Sequence, residues 1–326
     1  MERVAIDGYT RTLLVCGPGQ KFNATTDEEP FDFPGRAPRE LYGDRNNLPR
    51  FAEIAAHYGL SYKGGGERIA TLVSPSPDNL GKGGALDLEL RLAGITSVDV
   101  EAAKAGSIKD DQGKPLKNPF YNLAVIGATF TSDRKLMVGE RGRRFGAVLT
   151  PDRITKMGDA CWALAPSGGA TFVYDQDPVD YTIRAEAGQE LGLKPEELKG
   201  VSGIGIFNAL KIGPTGVKIV VGLQAGVTSE ELIDRHLRAR TAYEKSAQSG
   251  LDKGAIAQRL IDGGHAPDVW EHTRLIGIPV DSESIRDFVN KAVVDYNPNQ
   301  LVHTACGIGV GALELLAEYL ERNPSA

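Results

Sequence analysis

The chain reads as an α/β protein with a mixed sheet, and three observations carry that prediction. Short runs of strand composition recur along the 326 residues. Between them lie segments whose apolar residues are spaced for helices. Stretches containing glycine and proline punctuate the changes from one to the other. The length suits two compact units, or one domain with large insertions, better than one small core.

Taken in order, TLLVC (12–16), IATLV (69–73) and the alternating LDLELRL (86–92) have strand composition. Phe22-Asn23-Ala24-Thr25-Thr26 reads as loop. LPRFAEIAAHYGL (48–60) has helical spacing, with Gly59 as its stop. The lysines, glycines and prolines of KAGSIKDDQGKPLKNP (104–119) read as a linker. It divides an N-terminal α/β region of unassigned role (1–118) from a second unit (119–326). That unit opens with NLAVIGATF (122–130), a polar turn at Ser132–Asp133 and KLMVGE (135–140), which predict a hairpin.

A Gly-rich bend, PSGGAT (166–171), then leads to a helix over 178–191. Asp177 is its N-cap, Pro178 suits the first helical position, and Asp180 stands where a capping box places an acid. Val179, Ile183, Ala187 and Leu191 repeat every four residues, and Gly192 supplies the stop. GIGIFNAL (203–210) and VKIVVGLQA (217–225) are strands. A polar, largely helical insertion occupies about 229–268. A strand (273–280), a helix (282–293) and an amphipathic terminal helix (309–323) complete the chain.

Bulk properties narrow the function classes. A hydrophobic fraction of 41% and a charged fraction of 25% are ordinary for a globular protein. The net charge of −6 argues against general nucleic-acid binding, which needs a basic surface. Cys16, Cys161 and Cys306 lie far apart, which fits reduced thiols in a cytoplasmic protein. Charges and glycines interrupt the N-terminal apolar run, so it is no signal peptide. No uncharged apolar run approaches the roughly 20 residues that a bilayer requires, so no membrane partner is expected.

The chemistry concentrates on the helix at 178–191. Glu186 and Glu190 are four apart, so they project from one face, with Gln189 beside them. Like charges so placed cost an isolated helix roughly 0.2–0.5 kcal/mol. Gly188 in the same turn costs about 1 kcal/mol relative to alanine. A divalent cation reverses the first penalty, because hard cations prefer carboxylate oxygens.

The run from Gly168 to Leu193 resembles the Nudix box, G-x5-E-x7-R-E-U-x-E-E-x-G-U with U aliphatic. Anchored on Gly192–Leu193, Glu186 and Glu190 fall on two acidic positions and Ala187 on the first aliphatic one. The order of strands and helices over 119–326 is similar to the family's as well. The sequence departs from the pattern at Ala185, where the box has arginine, with Arg184 one place early. Gln189 replaces the middle acid, and Asp177 holds the upstream acidic position behind a loop about two residues longer than the pattern.

The resemblance implies a Nudix-type α/β/α sandwich and a metal-dependent hydrolase that cleaves a nucleoside diphosphate linked to another moiety. Glu186 and Glu190 would hold Mg²⁺ (or Mn²⁺), with Gln189 joining them in catalysis and Asp177 in support. Gly168 and Gly169 would line the ligand, and Arg141 or Arg143 would grip its phosphates. The partner would be a small phosphorylated molecule, and a homodimer is in keeping with the family. The alternative is a Nudix-like binding or regulatory module that has lost hydrolysis, which Ala185 and Gln189 favour.

Other signals are weaker. Glu271 falls where some relatives supply an extra acid. The glycine-rich stretches at 13–20 and 306–316 do not form G-x-G-x-x-G. His303 and Cys306 lack a third group, and the five histidines form no metal-ligand spacing. Trp162 and Trp270 read as core, although Trp162 lies close enough to the Gly-Gly bend to line a pocket.

Overall fold

The computed structural model describes residues 10–62, 64–74, 88–116, 119–141, 161–209, 216–294 and 304–324. Among these residues eleven strands form one mixed sheet. They are β1 (Thr10–Val15), β2 (Phe22–Pro30), β3 (Arg68–Ser74), β4 (Leu88–Thr96), β5 (Asn122–Phe130) and β6 (Lys135–Arg141), followed by β7 (Cys161–Leu164), β8 (Ser167–Gly169), β9 (Leu198–Ala209), β10 (Gly216–Ala225) and β11 (His272–Pro279). The helices among the described residues are α1 (Phe51–His57), α2 (Ser97–Ala105), α3 (Pro178–Leu191), α4 (Ser229–Gln248), α5 (Lys253–Asp262), α6 (Ser282–Val294) and α7 (Thr304–Arg322). The protein is therefore mixed α/β. No described helix is long and apolar enough to cross a membrane.

The strand order is β1-β9-β10-β5-β3-β4-β2, with β8 also on β5 and with β6 joined to β5, β7 and β11. β10 runs parallel to β5 and β2 parallel to β4, whereas β9 is antiparallel to both β1 and β10. The central strand β10 carries Val217, Ile219, Val220, Val221 and Leu223, all buried, as a strand covered on both faces requires. Across the boundary expected at 118, the sheet is continuous through the pairing of Thr71 with Asn122. The main core draws on both sides of that boundary, from Phe22, Leu72 and Leu92 to Ile183, Ile219 and Leu316. A second cluster around Phe33, Ile54, Val98 and Ile108 lies in the N-terminal region, and Phe120 joins it from just past the expected boundary.

Several local expectations need correction. Residues 22–26 form part of strand β2, not a loop. Phe22 and Ala24 are buried while Asn23 and Thr25 face outward, and the polar outward residues of this edge strand mask its period of two. The segment 97–105, which the sequence reading passed over, is helix α2. Thr96 and Asp99 close a capping box at its start, and Gly106 ends it in the left-handed conformation. The hairpin between β5 and β6 turns as expected, but the two strands pair at Phe130–Leu136 and then diverge. β6 continues against β7 and β11 instead. The Gly-rich bend contains β8, whose Ser167–Gly169 pair antiparallel with Ile126–Ala124.

Helix α3 has the expected bounds. Asp177 caps it, accepting from the Val179 and Asp180 amides at 2.8 and 3.1 Å. Asp180 does not close a capping box but turns to the Arg184 guanidinium at 2.7 Å. The other Asp177 oxygen accepts from the Ala24 amide at 3.0 Å, which ties the start of α3 to β2. The insertion folds as α4 and α5 over a small core of their own, built from Ala239, Ile256, Leu260, Ala266 and Val269.

Candidate functional site

The apolar stripe of α3 sets the direction of its carboxylates. Val179, Ile183, Ala187 and Leu191 are buried against the sheet, and Glu190, between Ala187 and Leu191 on that face, goes in with them at 1% exposure. Its Oε1 accepts from the Ser167 amide of β8 at 3.1 Å. Its Oε2 lies 2.8 Å from Nε2 of His272, the first residue of β11, and both side chains are 0% exposed. With Glu190 ionised, His272 Nε2–H is the donor. The imidazole fits because β6 carries glycine where the ring crosses it. A Cβ on Gly139 would overlap the ring.

Glu186, one turn earlier, has a different setting. It is half-buried and lies against Gly168, where a Cβ would collide with its carboxyl group. Gln189 is exposed, and its backbone carbonyl accepts from the Asp268 amide at 3.0 Å, joining α3 to the inserted segment. Gly169 has open space around its Cα. Arg184 is paired with Asp180, so it does not stand in for the box arginine. Arg141 ends β6 in register with His272; its side chain, and Arg143 entirely, lie outside the described residues.

Thus Glu186 and Gly168 come together, and Glu190 meets a histidine that the sequence reading passed over. These residues, as placed, do not fit a shared Mg²⁺. That ion keeps several waters in near-octahedral geometry, and a carboxylate with no exposed surface and hydrogen bonds on both oxygens leaves no room for them. Asp177 is likewise committed to capping α3. Among the described residues no group of three or more His, Cys, Asp or Glu side chains is arranged to hold a metal.

Behind His272 stands His236, buried on the inner stripe of α4 with Leu232 and Ala239. Among the described residues neither ring nitrogen of His236 has a partner in hydrogen-bond geometry, and Nδ1 of His272 also lacks one. Burial, then the neighbouring His272 and Arg240, push the His236 pKa down to about 4. The Thr273 backbone opposes that shift from nearby without reaching hydrogen-bond geometry. An unsatisfied buried polar group of this kind costs about 1–3 kcal/mol. One signal could have located His236. It falls on the i, i+4, i+7 positions of an apolar stripe, where a polar residue is out of place.

The remaining candidates have structural roles. Trp162 packs edge-on against Phe288 at 5.4 Å and lies under the Arg274 guanidinium at 4.8 Å. Arg274 in turn pairs with Glu140 at 2.8 Å. Trp270 donates to Asp268 at 2.9 Å and carries the Lys253 ammonium 3.9 Å above its ring. Glu271 is half-buried in the turn before His272, and it is His272 that meets Glu190. His303 and the side chain of Cys306 lie outside the described residues, and the glycines of 306–316 fall within α7.

No known family model matches the chain, and no curated protein matches it significantly.

Proposed function

We propose that the chain is a Nudix-like ligand-binding or regulatory module, which takes up a small phosphorylated molecule without hydrolysing it. The observation that carries this reading is the closure of Glu190. Its two oxygens are engaged by Ser167 and His272, and its side chain has no exposed surface. In the resemblance, the box arginine fixes the acidic residues. Here His272, supplied by β11, fixes Glu190 from the opposite side, which accounts for the tolerance of Ala185. The site keeps a carboxylate at Glu186 and the close backbone of Gly168, a surface suited to positioning a ligand more than to activating water.

The test is a screen of nucleotide sugars, dinucleotides and nucleoside triphosphates with Mg²⁺ and Mn²⁺, following both phosphate release after phosphatase coupling and thermal stabilisation. The expected result is stabilisation by at least one phosphorylated compound with no product. Metal-dependent turnover that disappears in Glu186→Gln would overturn the reading. It would favour the second one, a diphosphate hydrolase, for which the half-open Glu186 against Gly168 is the supporting observation.

A further inference from the structure

The insertion does more than decorate the sheet. Between the C-terminal end of α3 and the inserted helices lies a pocket of about 250 Å³, with Gly192, Lys194, Arg235, His236, Arg238 and His265 in its wall. Three cations and two imidazoles line it, and no carboxylate among the described residues does.

Arg235 is already occupied. Its guanidinium takes both Glu197 oxygens at 2.8 Å, pairs with Glu231 and donates to the Gly192 carbonyl at 3.3 Å. That last bond offsets the negative end of α3, which would otherwise repel an anion. Lys194 and Arg238 are exposed and have no ion-pair partner among the described residues. His236, buried to 3% exposure, brings two ring nitrogens without a hydrogen bond, and His265 is half-buried at the rim. A wall with two positive charges outside any ion pair, Lys194 close enough to Glu197 to help lower its pKa, and an imidazole behind them is complementary to a doubly charged oxyanion.

We propose that this pocket binds a phosphate group, with Lys194 and Arg238 neutralising it and His236 completing the hydrogen bonding from within. A whole drug-sized ligand fills roughly 300–1,000 Å³, so the pocket takes a phosphate or diphosphate group and leaves any larger moiety outside. The same chemistry admits inorganic phosphate or the phosphate end of an organic ester. The proposal does not rest on the reading of Glu186 and Glu190.

The experiment uses the full chain and titrates inorganic phosphate, pyrophosphate and a nucleoside monophosphate by calorimetry, with chloride at matched ionic strength as control. The variant is Lys194→Glu with Arg238→Glu, both at exposed positions, and its melting temperature in chloride checks that it folds. Saturable binding that weakens at least tenfold in the double variant, with a ligand-dependent shift of the His236 ring ¹⁵N signals, is the expected result. Preference for the monophosphate over inorganic phosphate assigns an ester as the source; the reverse assigns the free ion. Absence of saturable binding by all three, or equal binding by parent and double variant, overturns the proposal.

Discussion

Two buried polar groups, Asp99 near the N-terminal cluster and His236 in the insertion, are treated in opposite ways. Asp99, 0% exposed, accepts from Tyr42 and Tyr58 at 2.8 and 2.7 Å and from the Thr96 amide and hydroxyl at 2.8 Å. Burial, with the Asp99 charge beside them, raises the pKa of both tyrosines, so they stay protonated donors. His236 is 3% exposed, and neither ring nitrogen has a partner in hydrogen-bond geometry among the described residues. A saturated carboxylate that joins α2 to the chain around α1 is architecture. An unsatisfied imidazole beside a basic pocket is a cost that the fold alone does not explain. Glu190 falls on the side of Asp99, and that is why it is read as a support for α3.

The largest effect should come from breaking the saturated member. Asp99→Ala strands two buried hydroxyls and a helix cap, and should cost about 3–5 kcal/mol. Denaturant midpoints measure it, and a loss under 1 kcal/mol would show that the network contributes little. Lys218 sharpens the other side. It sits on β10 at 7% exposure, without an ion-pair partner among the described residues, and burial followed by repulsion from Lys104 lowers its pKa to about 8. Below that pH the buried charge is fully present, so Lys218→Met should stabilise the protein by about 3 kcal/mol at pH 7. The gain should shrink as pH rises from 8 towards 10.5, the range over which the folded and then the unfolded amine lose their protons.

His236 predicts a dependence of similar size in a different pH range. Its folded pKa lies below the ordinary value of 6.5, so the unfolded chain binds the extra proton first. Stability should fall as pH drops from 6.5 towards 4, by up to about 3 kcal/mol in the ligand-free protein. His236→Leu should flatten that limb, and an unchanged slope would remove the buried neutral imidazole from the account. Glu197 is a useful contrast. Its hydrogen bonds from Arg235 outweigh burial and hold it at about 2, so its contribution persists above 4.5 and is lost between 4.5 and 2. The smallest change expected is from Gly139→Ala. It pushes His272 off Glu190 and should cost about 1–3 kcal/mol, read as a lowered melting temperature and a changed His272 ring resonance.

The sequence was most legible where one local rule sufficed. Asp177, Pro178, the apolar stripe and Gly192 together delimit α3, and the observed helix runs from Pro178 to Leu191. β2 was opaque because six of its nine residues are polar and its partner, β4, lies 60 or more positions away in a parallel pairing. At the site, spacing identified Glu186 and Glu190 as neighbours on α3, but burial separates them. That difference depends on the phase of the helix against the sheet and on His272, 82 residues further along. No local pattern contains that contact. The pocket was hidden for the same reason, since α3, α4 and the turn after α5 each supply part of its wall.

The central claim is that Glu190 is held by His272 and so is withheld from any metal. A Mn²⁺ titration followed by electron paramagnetic resonance, on the parent and on Glu190→Gln, tests it most directly. The account predicts the same weak Mn²⁺ uptake in both proteins. Micromolar binding by the parent that falls tenfold or more in the variant would contradict it.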